Sequence, residues 1–565
     1  MLDPRVYRAA FVPALFALVL VAFSLGDRPR PVQTTLAPDA FDGARAFAAL
    51  RSLAERFPDR RPGSPGDERL AGVLASDMRA ARFHVTTHRF GATTIDGQRT
   101  LTTVVGRRTG RPGGAIVVVA HRDAAGSPAT AELSGTAALQ ELVRVFGATQ
   151  TRRTLILAST SGGSGGAAGA ADLARRLRRD GQRVDAVIVL GDLASTRMRK
   201  PWTMPWSDGA GLAPVRLRRT VAAAVRSTTG QDPGAAHAAE QMARLALPFA
   251  IGEEGPFNDA GLPAVAIQVS GERGPAATAP VSQARLRAFG SAALKTILSL
   301  DSGPEIDGRP AAEVVTLRKV LPLWSVRLLV VLALLPVLVA AVDGLARVRR
   351  RAEPIAIWLR WLVALAAPFL ATLLFTRVLG ATRLVTAPGA PVASDRVPTA
   401  AWALIAVALV FVAGWLVSRP LARLLGVPEE HDGSGPVAAV VLVTLAVALL
   451  TWLGNPYAAA MLVVPAHAWM LAPELRIRRG LALALVAVSL VPVLAALVVY
   501  ASALGASAGD VPWSLALLVA GGHVGIVAVL LTSVLCACLV ATVRLVLRER
   551  EPPPAATHGP WRAWT

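Results

Sequence analysis

Cysteine, lysine and tyrosine are scarce in this sequence of 565 residues. The two cysteines, Cys536 and Cys538, both lie in the last apolar run, so the rest of the chain has no disulfide, and cysteine usage does not indicate a compartment. The only lysines are Lys200, Lys295 and Lys319, so arginine supplies almost all of the net charge of +21. No segment combines concentrated basic residues with interleaved aromatic residues, and we therefore expect no nucleic-acid partner.

Charged residues are also few, at 17% against 53% hydrophobic residues, and the two classes are separated along the chain. Apolar runs dominate residues 321–565, whereas residues 27–320 have the composition of a soluble domain of ordinary size. This division excludes a purely cytosolic enzyme and a disordered or fibrous chain. It predicts an integral membrane protein with one large water-soluble insert.

Eight apolar runs are long enough to cross a bilayer, which needs about 20 residues in a helix. They lie near 9–26, 322–343, 355–376, 399–418, 436–453, 457–472, 481–500 and 514–543. We expect the first run to be an uncleaved anchor rather than a signal peptide.

Arginine is concentrated in the loops on one side of these spans. These loops include residues 347–351, 419–423, 476–479 and 544–550. Because arginine-rich loops stay in the cytoplasm, both termini are predicted to be cytoplasmic, and residues 27–320 are predicted to be extracytoplasmic.

The composition divides the chain into six predicted segments. They are an N-terminal transmembrane anchor at 1–26, a linker at 27–42, an outward-facing domain at 43–305, a second linker at 306–320, a bundle of about seven transmembrane helices at 321–545 and a cytoplasmic tail at 546–565.

Strand and helix patterns alternate within the outward-facing domain. Continuous apolar runs, typical of strands buried on both faces, lie at 115–121, 154–160, 186–192 and 264–270. Helical patterns such as 131–147 and 166–180 lie between them. The alternation predicts an α/β fold, a three-layer sandwich with a mostly parallel central sheet.

Polar residues follow three of the predicted strands. In such sheets the active site lies at the carboxyl ends of the strands. The first predicted strand ends at His121 and is followed by Asp123, the second is followed by residues 161–166, and the third ends at Asp192. A metal-binding imidazole needs its second nitrogen oriented by a carboxylate or carbonyl group, and Asp123 is near enough in sequence to do so. From the residues alone, a metal site and an ordinary polar strand end both remain open.

Several segments resemble one protein family in order and spacing. They are RRPGSPGDERLAGVLASDMRAARFHVTTHRF, IVVVAHRDA, SGTAALQELVR, GGAAGAADLA, VIVLGDLAS and PFNDAGLPAVAI. Over about residues 43–300 they resemble the M-twenty-eight family of zinc peptidases. The outward domain followed by a multi-span bundle is similar to the membrane-bound endoplasmic-reticulum members, and we expect a bacterial plasma membrane. The resemblance implies an aminopeptidase fold with two zinc ions, a bridging Asp and a Glu as general base.

The same resemblance assigns roles to only a few residues of this chain. His121 corresponds to a zinc ligand, Asp123 to the residue that orients it, and Asp192 to a later Asp ligand. The bridging Asp falls on Ala131, whose neighbour is Glu132.

Other expected residues are missing. The Glu pair that includes the general base falls on Gly163 and Ser164, and no histidine follows AVAIQVS where the last ligand belongs. A catalytic zinc normally has three protein ligands, and Glu132 would complete a set with His121 and Asp192 only after a shift of one residue. Nothing in the sequence brings Glu253 or Glu254 to this place. We therefore expect a degenerate domain without a cofactor, which binds a peptide or protein at its outer cleft or serves as a scaffold.

Three alternatives remain. One is an active zinc aminopeptidase with an altered metal site made of His121, Asp192 and Glu132. Another is a function of the membrane bundle that the outer domain regulates. The third is a dinucleotide site at Gly163-x-Gly165-x-x-Ala168, which is weak because Asp192 lies 27 residues after Gly165 rather than about 20.

Polar residues inside the membrane half are candidates for function by default. They are Asn455, Tyr457, His467 and His523. They either form a small polar site for lipid, peptide or a partner, or they lie at the interface and pack between helices. Apart from Asp343 near a span end, no acidic residue lies within a span, which argues against a proton- or ion-coupled transporter.

Overall fold

A computed structural model describes residues 4–306, 308–428 and 434–548. Most of the tail predicted at 546–565 lies outside the described residues. The strands are β1 Gly26–Asp27, β2 His84–Thr94, β3 Gly97–Arg108, β4 Ala115–His121, β5 Thr154–Thr160, β6 Val184–Leu190, β7 Thr203–Met204, β8 Ala264–Ile267, β9 Val314–Val315 and β10 Lys319–Leu321.

Helices precede, surround and follow these strands. In the first 306 residues they are α1 Pro4–Ala9, α2 Val12–Ser24, α3 Gly43–Arg56, α4 Pro65–Ala80, α5 Ser134–Ala148, α6 Ala168–Arg179, α7 Val215–Thr229, α8 Ala238–Ala246, α9 Glu254–Asp259 and α10 Gln283–Ser302. In the membrane half they are α11 Leu323–Arg350, α12 Ile355–Ala381, α13 Ala401–Leu424, α14 Gly435–Gly454, α15 Pro456–Leu471, α16 Arg479–Ser489, α17 Val491–Leu504, α18 Val511–Ala520 and α19 Ile526–Leu547.

Within the described ranges, seven strands form the main sheet in the order β2-β3-β5-β4-β6-β8-β7. Its four middle strands are parallel to one another. The pairings β2–β3, β3–β5 and β7–β8 are antiparallel. The prediction of an α/β domain is confirmed, but the prediction of a mostly parallel sheet is wrong, because half of the pairings are antiparallel.

The hairpin of β2 and β3 accounts for most of this difference. Its strands mix polar and apolar residues, as an antiparallel edge exposed to water requires, and so lack the continuous apolar run of a buried strand. The Asp96-Gly97 pair at the turn is a typical hairpin signal, and Gly97 has the positive φ (82°) that such turns use.

Side chains of β4 alternate between two cores. Val118 packs with α3, α4, α5, α7 and α10 on one face of the sheet. Val117 and Val119 pack with α6, α8 and α9 on the other face, and this second core continues into α11, α14 and α15 of the membrane half. Helices therefore cover both faces of the sheet, and one face also supports the bundle.

By length and composition, seven helices of the described residues could cross a membrane. The pair α16 and α17, bent by 42°, would make an eighth span. The predicted span at 514–543 is wrong: α18 and α19 are separate helices with a break at 521–525, where Gly522 has a φ of 80°. A three-stranded antiparallel sheet, β1-β10-β9, joins the end of α2 to the start of α11.

Candidate functional site

The polar ends of β4, β5 and β6 meet at one cavity, as parallel strands require. His121, Gly163 and Asp192 all line it, and so does Glu132. The structure therefore brings together the three residues that the sequence offered as metal ligands. The volume of the cavity is about 60 Å³, which is room for a few water molecules.

His121 and Asp123 are held to each other and to the following glycine-rich loop. His121 Nδ1 lies 3.0 Å from the backbone oxygen of Asp123 and 3.7 Å from its Oδ1. The carboxylate of Asp123 accepts hydrogen bonds from the amides of Gly163 and Ser164, both at 3.0 Å, and from Ser164 Oγ at 2.5 Å. Asp123 thus contacts His121 mainly through its backbone oxygen and holds the loop through its carboxylate.

These contacts shift both pKa values. Burial lowers the pKa of His121, but the Asp123 carboxylate outweighs burial and raises it to about 9. Burial raises the pKa of Asp123, but His121 and the Ser164 donors outweigh burial and lower it to about 2. The two residues therefore form a charged pair at neutral pH.

The glycine-rich loop does not have the free donors of a dinucleotide site. In such a site the loop amides bind pyrophosphate, whereas here the amides of Gly163 and Ser164 already bind the Asp123 carboxylate. A second anion would meet that carboxylate at the same place. This arrangement disfavours the dinucleotide alternative.

Asp192 serves the turn that follows β6. Its Oδ1 accepts hydrogen bonds from the amides of Ala194 and Ser195, both at 2.9 Å, and from Ser134 Oγ at 3.3 Å. Burial raises its pKa. Its Oδ2 is buried and has no hydrogen-bond partner among the described residues.

Glu253 occupies the space beside His121 that a side chain at position 163 would need. A β-carbon on Gly163 would lie 3.1 Å from Glu253 Cδ. Glu253 Oε1 accepts a hydrogen bond from Thr160 Oγ1 at 2.6 Å, and burial raises the pKa of its carboxyl group. No local pattern predicts Glu253 at this place, because it immediately precedes α9, far along the chain.

A loop of the membrane half forms part of the cavity wall. Residues 382–400, between α12 and α13, contribute Val392, Ala393 and Arg396 to its lining. Arg396 Nη2 lies 2.8 Å from Glu132 Oε1, and the side chains are 16% and 4% exposed. No sequence signal indicated this contact, since the two residues belong to different halves of the chain.

The same loop is held at two further points. Arg273 and Asp395 form an ion pair at 2.8 Å. At the tip of the β2–β3 hairpin, the amide of Gly389 donates to the oxygen of Thr93 at 3.3 Å, and Ile95 packs against apolar residues of the loop.

The residues at the cavity do not fit the zinc ions that the resemblance implies. Glu132 is paired with a guanidinium group, and Asp192 uses one oxygen to cap a turn. Within the described ranges, no group of three His, Cys, Asp or Glu side chains has an arrangement that could hold a metal ion. The guanidinium group of Arg396 supplies a positive charge beside the buried Glu132 carboxylate.

The polar residues of the membrane half lie at separate places. Asn455 Nδ2 donates to the oxygen of Leu245 at 2.8 Å, and Tyr457 Oη donates to the oxygen of Ala312 at 2.8 Å, so both contact the outer domain. The four residues do not gather at one polar site.

The two histidines of this set differ in their surroundings. His467 lies between helices, with Nδ1 2.7 Å from Tyr7 Oη and Nε2 2.9 Å from the oxygen of Ala333. His523 lies in the break between α18 and α19.

No protein-family model matches the chain, and no curated protein matches its sequence. Among solved structures it is similar to the LapA aminopeptidase of Legionella pneumophila, at 15% identity and a TM-score of 0.37, over 47% of this chain and 73% of that chain. It is similar to BSAP, a zinc aminopeptidase from Bacillus subtilis, at 12% identity and a TM-score of 0.38, over 47% and 98%. A glutaminyl cyclase from Porphyromonas gingivalis is similar at 16% identity and a TM-score of 0.34, over 46% and 98%. At these scores the likenesses decide nothing about activity.

Proposed function

We propose that this is a polytopic membrane protein whose outer domain is catalytically inactive and acts as a scaffold. The domain binds loop 382–400 of the membrane half in the cleft that resembles a zinc-peptidase active site. The observation that carries the proposal is the buried ion pair between Glu132 and Arg396.

The charge balance of the cleft supports this role. A buried carboxylate is costly unless a cation or hydrogen-bond donors compensate it. In a zinc peptidase the metal ion supplies the positive charge, whereas Arg396 supplies it here. Arginine suits this position because its guanidinium group stays protonated when buried.

The size of the cleft supports the same conclusion. Pockets for small ligands typically have volumes of about 300–1,000 Å³, whereas this cavity has about 60 Å³. With loop 382–400 in place, a peptide substrate has no room beside His121.

A charge-reversal cycle tests the scaffold role. Glu132→Arg and Arg396→Glu are made singly and together in the full chain, and thermal unfolding is followed in detergent by tryptophan fluorescence. Removing one partner of a buried ion pair costs up to about 3–5 kcal/mol, so each single variant should unfold at a clearly lower temperature. The double variant should recover part of the loss, because contacting residues are not additive.

The pair Arg273 and Asp395 provides a matched control in the same loop. These side chains are 41% and 44% exposed, and exposed pairs contribute only about 0–1 kcal/mol. Reversing them should shift unfolding little. Equal, additive losses in both cycles would contradict a specific role for the Glu132–Arg396 contact.

A latent zinc aminopeptidase with an altered site is the second candidate. One observation favours it: Glu132 Oε2, Asp192 Oδ2 and Glu253 Oε2 are buried, have no hydrogen-bond partner in the described part of the chain and belong to residues around one cavity. This candidate predicts that Arg396→Gln, with zinc added, hydrolyses aminoacyl-p-nitroanilides and that His121→Ala abolishes the gain. The scaffold role predicts no hydrolysis in any of these variants.

A further inference from the structure

A second, larger cavity lies away from the peptidase-like cleft. Its volume is about 1190 Å³, larger than the pockets of about 300–1,000 Å³ that bind small ligands. Its walls are the linker after α2, helix α7, the segment that leads into α8 and the β9–β10 hairpin.

The cavity carries a strong excess of positive charge. Its lining includes Arg28, Arg218, Arg219, Arg226 and Arg318. The only carboxylate among its described lining residues is Asp232, and this side chain is ion-paired with Arg226. The remaining arginines make the cavity complementary to an anion.

The protein compensates these arginines only in part: the charge of Glu313 acts on Arg218, but the two form no ion pair within the described residues. Arg218 Nη1 donates to Gln241 Oε1 at 3.2 Å, but its Nε is buried without a hydrogen-bond partner in the described part of the chain. Arg219 Nη1 donates to the backbone oxygens of Arg28 and Pro29 rather than to a carboxylate.

The pKa directions agree with this crowding of cations. Burial lowers the pKa of Arg219, and the charges of Arg28 and Arg226 lower it further. An anion in the cavity would relieve this repulsion and would accept the free donors, as phosphate oxygens do from paired guanidinium groups.

The cavity also lies where the chain leaves the membrane. Strand β1 follows α2 directly, and β10 ends two residues before α11, so the β9–β10 wall of the cavity lies beside the end of α2 and the start of α11. Leu317, in the β9–β10 turn, lines the cavity and is 89% exposed. Small apolar residues, including Ala222 and Ala223, line part of the walls.

We propose that this cavity binds the phosphate-bearing headgroup of an anionic phospholipid from the adjacent leaflet. The arginines contact the phosphate group, and Leu317 lies against the acyl chains at the mouth. Basic pockets next to membrane spans are suited to such headgroups. A lipid matches both the charge of the cavity and its position, whereas a free anion would match only the charge.

The test compares lipid binding to the full chain and to a charge-neutralised variant. Arg28→Gln and Arg318→Gln are combined, because these two side chains line the cavity and form no ion pair within the described residues. The control combines Arg99→Gln and Arg178→Gln, which are exposed, lie far from the cavity in sequence and remove the same charge. Phosphatidylglycerol, phosphatidylcholine and inorganic phosphate are titrated onto detergent-purified protein, and bound ligand is measured by native mass spectrometry.

We expect wild type and the control to bind phosphatidylglycerol with similar affinity, and the cavity variant to bind it at least about tenfold more weakly. Phosphatidylcholine should bind weakly to all three proteins. Equal binding of phosphatidylglycerol to wild type and the cavity variant would overturn the assignment of the site. Equal affinity for inorganic phosphate and phosphatidylglycerol would show that the site binds a free anion rather than a lipid. Equal affinity for the two lipids would show that the negative charge of the headgroup does not determine binding.

Discussion

At the scale of single residues, Gly163 lies where the packing of the cleft leaves no space for a side chain. A β-carbon at this position would lie 2.3 Å from the His121 β-carbon, closer than real contacts allow. Glu253 Cδ would lie 3.1 Å from the same β-carbon. A glutamate at position 163 would therefore collide with the cleft as it is packed here.

Gly163→Ala should lower the stability of the protein by about 1–3 kcal/mol, the usual cost of an extra group in a packed site. The measurement is the thermal unfolding midpoint in detergent. Gly72→Ala is the control: Gly72 lies in α4 with no atom within 4 Å of a built β-carbon, and alanine in a helix is favoured by up to about 1 kcal/mol. If both substitutions leave the midpoint unchanged or raise it, the account of Gly163 is wrong.

Asp208 predicts a pH dependence of stability. Burial, together with the charges of Asp259 and Glu272, raises its pKa to about 7. Because the folded-state pKa lies above the unfolded value of 3.8, the folded state holds the proton more tightly. The stability from this group is complete below about pH 4 and is lost as pH rises through about 7.

Asp208→Asn should therefore raise the unfolding midpoint at pH 8 and change it little at pH 4. The amide oxygen can still accept the hydrogen bond from the amide of Ala250, which is 2.9 Å from Asp208 Oδ1. Asp180→Asn, at an exposed site, should have little effect at either pH. A midpoint shift that is the same at both pH values would contradict the raised pKa.

Some residues of the cavity could be predicted from the sequence and others could not, for a physical reason. His121, Asp123 and Asp192 follow predicted strands, and parallel strands bring their ends together. Glu253 and Arg396 reach the cavity through the packing of distant segments, which no local pattern encodes. Residues positioned by secondary structure could be predicted, whereas residues positioned by tertiary packing could not.

At the scale of secondary-structure elements, Asn455 joins the membrane half to the outer domain. Its Oδ1 accepts hydrogen bonds from the amides of Tyr457 and Ala458 at the start of α15, and its Nδ2 donates to the oxygens of Leu245 and Ala246 at the end of α8. One side chain therefore caps the ends of two helices.

Asn455→Ala should destabilise the protein by about 0.5–2 kcal/mol, the usual cost of losing an N-cap residue. Asn455→Asp keeps the cap of α15 but loses the donor to α8. By hydrogen exchange, the aspartate variant should expose residues 245–247 only, and the alanine variant should also expose the start of α15. Identical exchange patterns would show that the two contacts are not separable.

The bounds of an element could be predicted from composition where the element is buried along its whole length. The strands at 115–121 and 154–160 were predicted correctly because they are apolar on both faces. The polar hairpin of β2 and β3 was missed because its outer strand faces water. The break at 521–525 was missed because the apolar composition continues across its two glycines.

At the scale of the whole molecule, the arginine-rich loops predict the orientation in the membrane. A chain with Cys536→Ser and Cys538→Ser serves as the background for two single-cysteine reporters, Ser302→Cys in the outer domain and Arg351→Cys after α11. A membrane-impermeant maleimide should label Ser302→Cys in intact cells and Arg351→Cys only after permeabilisation. The reverse pattern would contradict the predicted sidedness.

The outer domain and the bundle contact each other through buried groups rather than through a flexible tether alone. The second core of the domain continues into α11, α14 and α15, and loop 382–400 reaches back into the cleft. This continuity explains why a domain with few of its implied zinc ligands keeps a packed cleft.

The most direct test is the zinc content of the purified full chain, measured by elemental analysis beside a His121→Ala control. We expect no zinc above the control, because Arg396 already compensates the charge of Glu132 and Asp192 caps the turn that follows β6. Near-stoichiometric zinc that disappears in the control would contradict the proposed scaffold role.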